Sequence, residues 1–361
     1  MRPVDLFFEL IEVLTGTRSE LSGPCSEAEW EGALRLAAEQ TVAGVLFRAV
    51  ERLPKAQYPP KLPTLHWWQM SETIRRKSVR MKEAGEKAVA YFRENGFACQ
   101  ILKGTAVARY YPEPELRSCG DIDVWLDGGR EKIYAFARAF DPDGMLYGVN
   151  YQHVHFHLFE DIPLEVHVYP SCLSSPILNH RLHRFFEQYP PTMDSDMPQP
   201  AFDRVFILLH CYQHINGHGV GLRQIMDYYY VLLQGATGDE KAASARWIRK
   251  LGMGRFAAGV MWVLQHTFGM PSEYLLMEPD EREGRFILQE ILLTGNMGHS
   301  EKRHWGSTAT PLSRFFFNLR RDVYLARHYP HEALWQPFFS IWLYFWRLFK
   351  GLLKSRDTDD D

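Results

Sequence analysis

The stretch Asp121-Ile122-Asp123-Val124-Trp125-Leu126 constrains this chain more than any other. Its β-branched and aromatic residues favour a strand, and residues two apart on a strand share a face. Asp121 and Asp123 therefore point one way, while Ile122 and Val124 point into a core. Aspartate is disfavoured in strands, so two on one face need a reason. Two carboxylates that close repel each other unless a cation lies between them. Oxygen-only ligands at this spacing suit Mg²⁺ (or Mn²⁺), and Mg²⁺ commonly keeps waters and substrate phosphates in its shell.

The flanking residues extend the pattern in both directions. Upstream, an apolar run at 97–102 ends in Lys103-Gly104-Thr105, and a short helical stretch and a Pro-rich turn lead to Arg117. Downstream, Leu164-Glu165-Val166-His167-Val168 alternates in the same way, with Glu165 and His167 on one face. If the strand at 163–169 lies beside 121–126, Glu165 completes a carboxylate triad. A one-residue slip would send Glu165 into the core, where an unpaired carboxylate is costly.

Gly104-Thr105 followed by Asp121-x-Asp123 resembles the polymerase-β-like nucleotidyltransferase superfamily. The longer string, LKG through Arg117 to GDIDVWL and then LEVH at 164–167, is similar to its bacterial branch of uncharacterised nucleotidyltransferases. The superfamily motif spans about residues 97–170, and the likeness to the branch runs on into the helices beyond. The resemblance implies Mg²⁺-dependent transfer of a nucleoside monophosphate from an NTP such as ATP to an acceptor hydroxyl, with release of pyrophosphate. In that picture Asp121 and Asp123 hold two metal ions that bridge the triphosphate and the attacking hydroxyl. Glu165 holds the catalytic ion and helps to deprotonate the acceptor. Gly104 and Thr105 seat the triphosphate at a helix N-terminus, and Lys103 and Arg117 are candidate phosphate cations. Thr105 stands where the family has Ser or Gly, and Glu165 where the superfamily often has Asp. Two alternatives stay open. The acceptor is a protein side chain, which makes the chain an adenylylating regulator, or the chain is a non-catalytic nucleotide-binding regulator on the same scaffold.

The expected fold class is α+β, a small mixed nucleotidyltransferase sheet flanked by N-terminal and C-terminal helical parts. The parts are a helical region at 1–96, the nucleotidyltransferase core at 97–170, a helical region at 171–354 and a disordered acidic tail at 355–361. In the N-terminal part Ser26-x-x-Glu29 is a capping box, and a helix is expected from about 65 to 95. Its Arg75, Arg76, Lys77 and Arg80 read as a solvated face. The core strands are expected at 97–102, 121–126, 148–159 and 163–169, with helices at 105–111 and 129–140. Further helices are expected at 201–216, 222–234, 239–252, 254–268, 283–294, 311–328 and 331–352.

Charge and cysteine usage narrow the partners. The net charge of −3 advertises no nucleic-acid partner. Five cysteines without a CxxC indicate neither a disulfide framework nor a zinc knuckle, which suits a reducing cytoplasm. No uncharged apolar run approaches the ~20 residues of a membrane span. His153, His155 and His157 alternate on one strand and read as the polar side of a hairpin rather than as zinc ligands. His210 and His214 share one helix face, and Arg223 and Asp227 the next helix's. They form either a nucleotide clamp or a buried structural network. The aromatic stripe at 335–353 reads as a helix docked on its own protein, which buries Trp342 and Trp346, with peripheral contact with a membrane surface as the alternative.

Overall fold

The alternation around Asp123 builds the second strand of a four-stranded mixed sheet. The computed structural model describes residues 1–140, 149–217, 219–296 and 310–349. The expected strand residue Gly148, part of the aromatic stripe and the acidic tail lie outside the described residues. In chain order the elements are α1 (Pro3–Thr15), α2 (Glu27–Glu39), α3 (Ala43–Arg52), α4 (Lys61–Glu94), β1 (Cys99–Ile101), α5 (Thr105–Ala108), β2 (Ile122–Leu126), α6 (Gly129–Phe140), β3 (His153–His155) and β4 (Leu164–His167). Helices follow: α7 (Pro176–Phe186), α8 (Pro200–Asn216), α9 (Leu222–Leu233), α10 (Gly238–Lys250), α11 (Gly254–Phe268), α12 (Glu281–Thr294), α13 (Pro311–Leu325), α14 (Pro330–Ala333) and α15 (Gln336–Phe349). The fold is thus mostly helical, with helices before and after one small sheet, as the α+β reading expects.

Two compact units share the chain. The first is Met1–Lys82, Val107–Cys119 and Gln199–His304, and the second is Glu83–Ala106, Gly120–Pro198 and Trp305–Asp361. Among its described residues the first unit is helical. α1 buries Leu6, Phe7, Leu10, Ile11 and Leu14, an apolar stripe at helical spacing. α2 opens on the expected capping box: Ser26 Oγ accepts from the Glu29 amide, and the Glu29 carboxylate accepts from the Ser26 amide. Trp30 and Trp67 are fully buried and meet edge to face, with ring centroids 6.2 Å apart. Arg75 belongs to ion pairs with Glu72, Glu113 and Glu115, while Arg76, Lys77 and Arg80 are exposed.

The second unit holds the sheet, in the order β1-β2-β4-β3. β1 pairs antiparallel with β2, β2 parallel with β4, and β3 antiparallel with β4. One face is apolar and carries Ile101, Val124, Val166 and Val154, all buried. Phe156, on that same face, stacks on Phe136 and meets Phe92 at 5.3 Å. The other face carries Asp123, Glu165, His153, His155 and His167.

α7 lies in the expected helical region but outside the spans expected for its individual helices. Its signal is local: Ser175 caps the Leu178 amide and Pro176 takes the first helical position. The helix expected at 331–352 is broken. Pro337 cannot donate to the preceding turn, so α14 ends at Ala333 and α15 starts again at Gln336.

The expectation that Trp342 is buried is corrected by α15. Trp342 is 45% exposed, Trp346 is half-buried, and no residue of this helix is fully buried. The helix touches its unit through Tyr151, which meets Phe339, Trp342 and Trp346, and through α13. Phe338, Phe345 and Phe349 face outward. Trp342→Ala should therefore cost less than about 2 kcal/mol in chemical denaturation, against about 3–5 kcal/mol for a fully buried tryptophan. No described helix is long and apolar enough to cross a membrane.

A pH signature arises at α14. Glu332 is buried, accepts from the Ser174 amide at 2.7 Å and leaves its second oxygen without a partner. Burial pushes its carboxyl up to about 7 from an ordinary 4.5. The folded state then binds a proton that the unfolded chain has released, so stability falls as pH rises from about 4.5 through about 7. Glu332→Gln should melt like the wild type near pH 4.5 and at a higher temperature than the wild type at pH 8.

Candidate functional site

The site is assembled on the polar face of the sheet. The parallel pairing of β2 with β4 sets Asp123 opposite Glu165 and Trp125 opposite His167. The antiparallel pairing of β4 with β3 sets His153 opposite His167 and His155 opposite Glu165. Period two then places all these polar side chains on one face. Carboxylate oxygens of Asp121, Asp123 and Glu165 lie within 4.8 Å of one another, close enough to share a cation.

Gly104 lies against this cluster. Its φ of +57° is left-handed, and a Cβ there would stand 3.4 Å from the Asp121 carbonyl oxygen, so only glycine makes the turn without strain. The Leu102 amide donates to the Asp123 carbonyl at 3.0 Å and ties the turn to β2. α5, which opens on Thr105, is a single turn rather than the expected helix at 105–111.

Asp123 is almost fully buried, and its Oδ1 accepts from Lys103 Nζ at 2.9 Å. His167 Nε2 lies 2.9 Å from the same oxygen. Burial disfavours the Asp123 carboxylate, but the Lys103 charge and the His167 hydrogen bond outweigh it and hold the group well below the usual carboxylate range. Burial likewise opposes charge on His167, yet hydrogen bonds to Asp123 and Glu165 lift its pKa to about 9. Glu165 is pushed up by burial and pulled down further by its bond to His167, so it ionises below its ordinary value. His153, desolvated and beside His167, falls to about 4.

The chemistry of this donor set fits a divalent cation. Asp123 Oδ2 and Thr105 Oγ1 are buried and have no hydrogen-bond partner. Buried polar atoms are nearly always satisfied, so the unsatisfied Asp123 Oδ2 within a cluster of three carboxylates is what a cation site would leave, whereas Thr105 Oγ1 is turned towards Gly85 of α4. Hard oxygen ligands of this kind suit Mg²⁺ or Mn²⁺.

The remaining candidate residues are placed differently. Arg117 belongs to the first unit, where it is 4% exposed and donates to Asp227 from Nε at 3.0 Å and from Nη2 at 2.6 Å. Tyr111 donates to the same carboxylate at 2.7 Å, and Arg223 donates to the Ser118 carbonyl at 2.8 Å. Arg117 is thus committed to a buried ion pair, and Asp227 is its partner rather than part of a pair with Arg223. His210 and His214 approach each other, Nε2 to Nε2, at 3.1 Å. Two contacts escape the sequence pattern, Lys103 to Asp123 and His167 to Asp123. The second was within reach, since pairing LEVH with the aspartate strand brings His167 beside Asp123.

No curated protein and no solved structure matches the chain. A family model described as an uncharacterised nucleotidyltransferase matches residues 26–269, more than half of the chain and the whole of the sheet with its polar face. The chain therefore belongs to the uncharacterised nucleotidyltransferase family.

Proposed function

We propose that this protein transfers a nucleoside monophosphate from an NTP to an acceptor hydroxyl with release of pyrophosphate, in a reaction that depends on Mg²⁺ or Mn²⁺. The observation that carries the reading is the group of three carboxylates within 4.8 Å of one another, with Asp123 Oδ2 buried and unpartnered among them. Asp121, Asp123 and Glu165 would hold the cations, which supply Lewis-acid neutralisation of the triphosphate charge.

The protein's own groups do the rest. Gly104 admits the triphosphate close to the backbone. Lys103 keeps Asp123 ionised and adds positive charge beside the phosphates. Glu165 receives the proton of the acceptor hydroxyl as the hydroxyl oxygen bonds to the α-phosphorus. The bond from that phosphorus to the β-phosphate oxygen breaks, and pyrophosphate carries the electron pair away. Arg117 is left out of this site, because its guanidinium is already satisfied by Asp227.

Calorimetry with each NTP tests the binding half of the reading. An NTP should bind in Mg²⁺ and lose most of its affinity in excess chelator, and Lys103→Met should weaken it further. Triphosphate binding that is indifferent to both metal and Lys103 would contradict the assignment.

A further inference from the structure

Two histidines lie beside Glu165, and one of them, His167, also holds its Nε2 2.9 Å from Asp123 Oδ1, so a metal at that nitrogen would displace its proton and take the place of that contact. His153 Nδ1 lies 3.3 Å and His167 Nε2 lies 3.4 Å from one and the same oxygen, Glu165 Oε2. The three ligand atoms of this group all lie within 4.8 Å of one another. Ligands about 2.1 Å from a common ion stand about 3.4 Å apart at tetrahedral angles, so the two short separations, which are ion-pair contacts without a metal, also have the spacing of a coordination shell. His167 is also held from behind, with Nδ1 3.3 Å from the Tyr169 carbonyl oxygen. Such an outer bond fixes the ring orientation and tautomer of a metal-binding imidazole. His153 and Glu165 keep partial exposure, which gives an ion a way in, while His167 is buried.

We propose that His153, Glu165 and His167 bind a zinc-type divalent transition metal, next to the oxygen-only position formed by Asp121, Asp123 and Glu165. Two histidines and one carboxylate form a ligand set that zinc accepts with a fourth position left open. Imidazole nitrogen suits zinc and its neighbours, whereas Mg²⁺ takes oxygen and keeps its waters. Both clusters contain Glu165, whose Oε2 faces the histidines. The sheet face therefore offers two unlike cation positions joined by one carboxylate, an arrangement found where two metals act about 3.5–4 Å apart. The ligands are not the alternating trio of the β3 segment: His153 serves with a histidine of β4, and His155 does not belong to the group.

The test needs no nucleotide, so its failure would leave the Mg²⁺-triphosphate reading to its own calorimetric experiment. Untagged full-length protein is stripped with chelator, dialysed and titrated with Zn²⁺, and separately with Co²⁺ as a visible probe. The expected result is one Zn²⁺ per chain and a Co²⁺ absorption band characteristic of nitrogen and oxygen ligation. His153→Gln and His167→Gln should each lower Zn²⁺ affinity by at least ~10-fold and alter the Co²⁺ band, while His155→Gln leaves both unchanged. Circular dichroism checks the fold, and if the buried His167 variant does not fold, His153→Gln carries the comparison. No stoichiometric Zn²⁺ on folded wild-type protein, or equal affinity in the His153 and His155 variants, would overturn the proposal.

Discussion

Exchanging Asp121 and Asp123 together for asparagine should lower the rate of nucleotidyl transfer at least ~10²-fold in protein shown by circular dichroism to be folded, since Asp123 is also the buried partner of Lys103. The reasoning is electrostatic. The metal ions of such a site neutralise most of the charge that builds up on the transferring phosphoryl group, and losing stabilisation of that kind costs two or more orders of magnitude. Asparagine keeps the shape of the side chain and an oxygen acceptor for Lys103 and His167 but removes the charge. A second readout follows. The pKa of His167, about 9 in the wild type against burial that opposes its charge, rests on hydrogen bonds to Asp123 and Glu165. It should fall in the variant, as read by NMR titration without metal. Unchanged turnover in the double variant would remove the carboxylates from the mechanism.

Arg117→Ala should instead destabilise the protein, by about 3–5 kcal/mol in urea denaturation. Asp227 and Arg117 are each about 5% exposed at the side chain and bond at 2.6 Å. Removing one member of a buried pair strands the other charge away from water, which costs far more than the pair contributes when intact. Arg117→Met/Asp227→Leu, which removes both charges and retains apolar volume, should recover part of the loss. A site arginine that touched only phosphate would show the reverse pattern, normal stability with weakened triphosphate binding.

The contrast between these two residues explains how much was legible beforehand. Asp123 and Glu165 are fixed by local alternation: with Val124 and Val166 turned to the core, both carboxylates have only one face left, and pairing the two strands in parallel brings them together. The capping box at Ser26 and Glu29 is likewise written within four residues. Arg117 is different, because its partner Asp227 is 110 residues away and nothing near Arg117 signals it. The neighbouring LKG and DxD made a phosphate role the natural expectation. The C-terminal aromatic stripe differs from its expected burial for a related reason. Periodicity reports that Trp342 and Phe345 share a side of a helix but not whether anything covers that side, and here little does. The single-turn α5 and the break before Pro337 are local effects that an averaged pattern conceals.

Transfer of the α-phosphoryl group with loss of pyrophosphate is tested most directly by one labelling measurement. The protein is incubated with Mg²⁺ and an extract of cells, once with each NTP labelled at the α-phosphate and once with the label at the γ-phosphate. The α-label is expected to pass to an acceptor, whether a small molecule, a polymer or a protein, the γ-label to appear only in pyrophosphate, and both signals to vanish with Asp121→Asn/Asp123→Asn. Binding of every NTP with no α-label leaving the nucleotide for any acceptor, or transfer of the γ-label instead, would contradict nucleotidyl transfer.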